Sequence, residues 1–213
     1  MVASKLHLEV VQLLLFNENS PDCNLSNNVG MTALHFAVVG GIIDIVNLLL
    51  IANANVNLSE YCVGNTPLML ASSKHTECVQ TLLSFGYPEG CDIDCNLIDH
   101  EGKNALHLAA EEGNRDIITL LLRANMDVNQ RDGDGNTPLI LASKEMQNDT
   151  VKLLISCPQV DIRAKNSCME TCLHVACSSG NLDIVKPLLD ANADVNEQAL
   201  HGVTPLMMAI ECT

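Results

Sequence analysis

Apolar positions in this chain come in short bursts at helical spacing, and the bursts come in pairs. The clearest pair follows Asn104. Leu106, Leu108, Ala109 and Ala110 form one small apolar side, and Ile117, Ile118, Leu120, Leu121 and Leu122 form a larger one beyond Gly113. The spacing predicts two short helices joined tightly, then a polar hairpin up to Asn129. Asn104 is placed to cap the first helix, and Gly113 to break between the two. Isolated helices shorter than about 12–15 residues are marginal in water, so this pair needs copies of itself to pack against.

The chain supplies the copies. The strings TALHFA, TPLMLA, NALHLA, TPLILA, TCLHVA and TPLMMA begin at Thr32, Thr66, Asn104, Thr137, Thr171 and Thr204. The steps between them are 34, 38, 33, 34 and 33 residues. Each capping side chain offers an oxygen to an orphan helix N–H. Pro67, Pro138 and Pro205 follow where a missing N–H costs nothing. Second helices start near Asp44, Glu77, Asp116, Asp149 and Asp183, whose charge suits a helix N-terminus. Cap, helix, break, helix and hairpin recurring at a period near 33 resemble the ankyrin repeat family over essentially the whole chain.

That resemblance implies an all-α ankyrin repeat solenoid of helix-turn-helix units with projecting hairpin loops. A single array 1–213 then divides into a partial repeat 1–26, full repeats 27–60, 61–98, 99–131, 132–165 and 166–198, and a partial repeat 199–213. The first partial repeat reads as a second helix without its first, and the last as a first helix without its second. Solenoids need polar caps on their terminal faces, and neither end reads as one. The expectation is a fragment of a longer array, or self-association through the uncapped ends.

The repeats alternate. The first, third and fifth carry His35, His107 and His174 and end in regular hairpins, while the second and fourth have Met69 and Ile140 and irregular hairpins. Asn53, Asn125 and Asn192 follow the regular second helices, where family members usually have Gly, so a left-handed backbone is expected there. Repeat two is one residue short between its helices. Pro187 lies inside a second helix and should remove the bond to the Asp183 carbonyl and kink it.

Net charge is −15, with 26 acidic against 11 basic residues. This argues against nucleic acid or an anionic membrane surface as partner and favours a basic protein or peptide. No apolar run is long enough to span a bilayer, so direct membrane insertion is not expected. The ten cysteines do not fall in evenly spaced pairs, which points to free thiols in a reducing, cytoplasmic or nuclear setting.

No arrangement demands catalysis. The resemblance implies that the three histidines bridge the cap to neighbouring backbone. Cys91 and Cys95 near His100, and Cys168, Cys172 and Cys177 around His174, are thin metal candidates without a complete ligand set. Asp132-Gly133-Asp134-Gly135 lacks both a P-loop lysine and a calcium-loop glutamate, so it reads as a tight turn. No metal and no cofactor are expected, and the chain is read as a non-enzyme. In the family the Asn matching Asn57, Asn129 and Asn196 is sometimes hydroxylated, which the resemblance permits here.

The resemblance also implies a binding surface. Residues before each cap and at the end of each first helix face a concave groove in this family. Carried over by position, these are Val63, Asn65 and Lys74 in repeat two, and His100, Glu101, Lys103, Glu111 and Glu112 in repeat three. Arg131 lies at the next join, with Asp134, Asn136, Lys144 and Glu145 in repeat four and Cys168 and Glu170 in repeat five. The expected function is a protein-protein interaction scaffold using its concave groove and hairpin tips. The alternative is a regulatory or targeting domain of a larger enzyme or channel.

Overall fold

The computed structural model describes residues 2–85 and 93–211, with side chains from His7 onward. Residues 86–92, and with them Cys91 and much of the irregular second hairpin, lie outside the described residues. Every regular element among the described residues is helical. Two compact units, Met1–His100 and Glu101–Thr213, contain them.

The first unit holds α1 (Val2–Leu15), α2 (Ala33–Val39), α3 (Ile43–Ile51), α4 (Pro67–Ser72) and α5 (Thr76–Ser84). Within each repeat the first helix packs on the second, α2 on α3 and α4 on α5. Between repeats like packs on like, α2 on α4 and α3 on α5, and α1 lies on α3 as a second helix does. Leu34, Val38, Val46, Leu50, Leu68, Val79 and Leu82 are buried between these layers.

The second unit repeats the plan with α6 (Ala105–Glu112), α7 (Arg115–Arg123), α8 (Pro138–Lys144), α9 (Asn148–Ile155), α10 (Cys172–Ser178), α11 (Leu182–Asp190) and α12 (Pro205–Glu211). α6, α8, α10 and α12 stack in order, with α7, α9 and α11 behind the first three. Small residues let the first helices approach: Ala109, Ala110, Ala142 and Ala176 are fully buried against the Leu and Ile of the second helices.

The helix ends follow the local chemistry. Asn104 Oδ1 accepts from the amides of Leu106 and His107, and Gly113 closes α6 at φ 78°. Asn53, Asn125 and Asn192 adopt φ of 58°, 59° and 61°, the left-handed geometry expected of them. Met169 stands at φ 59° where the other full repeats have glycine. α11 runs unbroken from Leu182 to Asp190 with Pro187 inside it, and the Ala191 N–H still reaches the Pro187 carbonyl at 3.0 Å.

The hairpins are linked by one backbone bond at each step. In the first unit Tyr61 N–H donates to Val29 O (2.8 Å) and His100 N–H to Val63 O (2.7 Å). In the second, Gly133 N–H donates to Glu101 O, Ser167 N–H to Asp134 O and Leu200 N–H to Cys168 O. Each loop is closed by a side chain before the cap. Asn27, Asp132 and Asn166, five residues before Thr32, Thr137 and Thr171, each accept two loop amides.

Repeat two departs from this plan in a compensated way. His75, the residue before α5, follows the cap Thr66 by nine positions instead of the ten between Asn104 and Asn114. The loop before Thr66 is longer by one residue, and there Glu60 stands in for the shorter acid or amide. Its carboxylate accepts from the amides of Cys62 (2.6 Å), Val63 (2.9 Å), Gly64 (2.9 Å) and Asn65 (3.1 Å). One extra methylene in the side chain matches one extra residue in the turn.

Candidate protein-binding groove

The histidines act as ties. Thr32 N–H donates to His35 Nδ1 (3.1 Å), and Nε2, which then carries the proton, reaches Asn65 O (3.3 Å) in the next repeat. His174 makes the same pair of contacts, to Thr171 N–H and to Val203 O (3.1 Å). His107 Nε2 lies 3.0 Å from Gln130 O and 3.3 Å from Asn136 O. Burial pushes the His35 imidazole below its ordinary range against the pull of the Asn65 carbonyl and Glu60. Burial does the same to His107 against Asp132 and its carbonyls. The His35 and His107 rings, held toward the neutral form by burial, capped at Nδ1 and donating at Nε2, have no free lone pair for base catalysis. In repeat two Met69 occupies the slot, and its sulfur accepts the Thr66 N–H at 3.4 Å.

The residues expected at the surface separate into three groups. In the first unit Val63 and Lys74 are exposed and Asn65 is half-buried. Its Oδ1 is shielded from solvent, with no hydrogen-bond partner among the described residues. His100 lies over the repeat-two turn: a Cβ on Gly64 would come within 2.8 Å of its ring.

In the second unit Lys103 takes up two of the expected acids. Its Nζ lies 2.7 Å from Glu111 and 3.0 Å from Glu101. Burial alone would lower its pKa, but hydrogen bonds to these carboxylates outweigh it and raise the ammonium well above its usual range. The Glu111–Glu112 pair is therefore split: Glu111 faces Lys103, and Glu112 is exposed. Arg131 and Glu145 are also exposed.

The third group converges. Asp134, Asn136, Lys144, Cys168 and Glu170 surround one groove of about 390 Å³ over Ile140 and Val175. α8 and α10 supply its floor, and the hairpins before their caps supply its walls. Asn136 belongs to the framework: it is 6% exposed, donates to Asp132 Oδ2 (3.1 Å) and accepts from Asn166 Nδ2 (3.2 Å). It was expected at the surface, but the Asp132 loop closure pulls its amide inward. Asp134, Lys144 and Cys168 are exposed, and Glu170 is half-buried beside Asn166.

Two of the three expected loop asparagines lie at inter-hairpin contacts. Asn57 Oδ1 accepts from Asp94 N–H (2.9 Å). Asn129 accepts from Asp161 N–H and donates to Gln159 O (both 2.7 Å), and Asn196 is exposed. Asn24 does the same for Asn55 N–H, a role the sequence reading missed although its spacing from Asn57 was visible. Also missed were His75 and Gln147, whose rings or amides bind the carbonyls of Val39 (3.1 Å) and Glu111 (2.8 Å) one repeat earlier.

Among the described residues no three His, Cys, Asp or Glu side chains group as a metal site. The described cysteines are free thiols. Cys172 is packing: burial pushes its thiol up to about 12, and it is 1% exposed. No helix among the described residues is long and apolar enough to cross a membrane.

The profile for ankyrin repeats in three copies matches residues 1–94, 85–166 and 147–213. The chain belongs to the ankyrin repeat family. It is 32% identical to the B-cell lymphoma 3 protein homolog of Mus musculus over 215 residues, covering 96% of this chain and 47% of that protein. It is 31% identical to the nuclear factor NF-kappa-B p105 subunit of Gallus gallus over 211 residues, 96% of this chain and 18% of that protein. The chain thus spans half or less of the curated relatives it matches. The crystal structure of the ankyrin repeat domain of Bcl-3, described as a unique member of the IkappaB protein family, superposes with a TM-score of 0.85 at 29% identity. That superposition covers 96% of this chain and 90% of the solved one. The ankyrin repeat assignment accounts for the caps, the histidine ties and the hairpin links without invoking a reaction centre.

Proposed function

We propose that this ankyrin repeat chain is a protein-binding scaffold that holds a protein or peptide through its first-helix ends and hairpin loops. The observation that carries the reading is the groove between α8 and α10, where Asp134, Lys144, Cys168 and Glu170 converge over an apolar floor. An apolar floor with a few polar groups at its rim is the usual form of a recognition site. With Asp134 and Glu170 at its rim and a net charge of −15, a segment carrying Lys or Arg beside an aliphatic anchor fits best. The likeness to Bcl-3 and p105 supports a protein partner, and the free thiols support a cytoplasmic or nuclear setting.

Affinity capture with the intact chain, compared with Asp134→Lys/Glu170→Lys, tests the groove. The reversal should weaken capture of the same partner at least tenfold and leave helical circular dichroism unchanged. Equal affinity would refute the site. Glu112→Lys is the better companion variant than any change at Glu111, since a lysine there would face Lys103.

A second reading rests on coverage: the chain matches 47% of the mouse relative and 18% of the chicken one. It then serves as the regulatory or targeting domain of a larger protein, and the groove is where that protein is addressed to its partner.

A further inference from the structure

The groove between α8 and α10 is built from repeat positions that recur in the first unit. Its rim is Asp134 and Lys144 of repeat four with Ser167, Cys168, Glu170 and Ser178 of repeat five. The hairpin bonds and the spacing from each cap give the first-unit equivalents. Tyr61 N–H binds Val29 O as Ser167 N–H binds Asp134 O, and Val63 O takes the His100 N–H as Cys168 O takes the Leu200 N–H. Val39 and Ser73 follow Thr32 and Thr66 by the seven residues that separate Lys144 and Ser178 from Thr137 and Thr171. α2 packs on α4 as α8 packs on α10, so these residues line the corresponding face of the first unit. Its chemistry differs. In place of Asp134, Lys144, Ser167 and Cys168 stand Val29, Val39, Tyr61 and Val63, exposed by 41%, 50%, 65% and 41%. Asn65 takes the place of Glu170, and none of these residues carries a charge. The exposure belongs to the positions themselves: Asp134, Lys144 and Cys168 are also exposed, in repeats whose first helices have neighbours on both sides.

We infer that this face between α2 and α4 is a second docking surface, taking a partner segment of aliphatic or aromatic side chains with an acidic residue beside them. Four exposed apolar side chains at adjoining positions form a patch, unlike single apolar residues scattered over a surface. Tyrosine is a frequent anchor of binding energy at interfaces. The backbone that presents Tyr61 and Val63 is held before any partner arrives. Glu60 binds the amides of Cys62, Val63, Gly64 and Asn65. The Tyr61 ring lies over Gly30, where a Cβ would come within 2.7 Å of it, and its hydroxyl lies 3.4 Å from Ser26 Oγ. Little conformational freedom is then lost on docking. Charge decides the class of occupant. Glu60 is buried with its carboxylate taken up by the loop amides, while Lys74, just beyond α4, is exposed. A segment rich in Lys or Arg would desolvate its cations against an uncharged face and be repelled by Lys74. A carboxylate beside an apolar stretch is attracted there instead. The inference does not rest on the α8–α10 groove having a partner.

Selection of short random peptides displayed on phage against the intact chain, followed by fluorescence anisotropy of the synthesised peptides, tests this. One enriched class should combine Leu, Ile, Val or Phe with Asp or Glu. Its affinity should fall roughly tenfold or more in Tyr61→Ser/Val63→Ser, and about threefold in Lys74→Glu. Val39→Ser, outside the Glu60 loop, should weaken it as well, so rearrangement of that loop cannot by itself produce the result. All these positions are exposed, so helical circular dichroism should not change. Asp134→Lys/Glu170→Lys should leave this class bound as before, which keeps its outcome distinct from that of the α8–α10 groove. A selection without any peptide that needs Tyr61, Val63 and Val39 would overturn the inference, as would a dependent class dominated by Lys or Arg. Self-association of the chain that Tyr61→Ser/Val63→Ser abolishes would assign the face to a second copy and overturn it too.

Discussion

Removing the Glu60 carboxylate should destabilise the first unit more than any other single change at a loop. Glu60 is 7% exposed and accepts four backbone amides between 2.6 and 3.1 Å. Hydrogen bonds to a charged group contribute about 1.5–3 kcal/mol each in isolation. The four share one carboxylate, and amides at a loop tip regain water when it goes, so they do not add. Glu60→Ala should cost about 2–4 kcal/mol. Glu60→Gln keeps one oxygen but turns an amide group toward one of the loop N–H groups, and should cost about 1–2 kcal/mol. Burial alone would raise the carboxyl pKa, but the four amide bonds outweigh it and hold the folded value below the ordinary one. A group with a depressed folded pKa contributes stability above its unfolded pKa, about 4.3 for Glu, and loses it as pH falls through the folded value. The gap between wild type and Glu60→Gln in urea unfolding should therefore be full at pH 7 and shrink below about pH 4. Because Glu60 also pulls on the His35 imidazole, a His35→Gln background for both proteins isolates the carboxylate's own contribution. Hydrogen exchange at Gly64 should accelerate in both variants at pH 7. A Glu60→Ala cost under about 0.5 kcal/mol, or a gap that does not change with pH, would refute the reasoning.

Other changes test the rest of the fold. Met169→Gly should stabilise by about 0.5–1 kcal/mol, because φ of 59° strains a side chain and the sister loops use glycine there; an unchanged urea midpoint would count against this. Leu121→Ala should cost about 2–5 kcal/mol, since Leu121 is fully buried, while Leu13→Ala on the exposed side of α1 should cost about 0.5 kcal/mol or less. Asn104→Thr should raise stability by about 0.5–1 kcal/mol. Asn104 Oδ1 lies 2.7 Å from His107 Nδ1, two acceptors in a neutral ring, whereas a threonine hydroxyl can donate there as Thr32 does at 2.8 Å. A midpoint at or below wild type would refute that account.

The sequence by itself determined what depends on neighbours in the chain. Caps at Thr32 and Asn104, the left-handed turns at Asn53 and Asn125, the break at Gly113 and the pairing of short helices are all set within about ten residues, where backbone geometry and apolar period act directly. The missing residue in repeat two was legible too, though the extra residue before Thr66 and its closure by Glu60 needed the loop to be seen. Only the tertiary structure decided which polar groups meet. Lys103 claims Glu111 across a helix, so the acid that looked most distinctive is internally satisfied. Asn136 turns inward because Asp132 and Asn166 take its amide, while Asp134, Lys144, Cys168 and Glu170 come from two repeats to one groove. The Asn136–Asn166 bond and the groove join residues about thirty apart, and a repeat pattern gives every such position the same address. What a side chain does there depends on the partner placed opposite by packing, which the pattern of apolar residues along the chain does not encode.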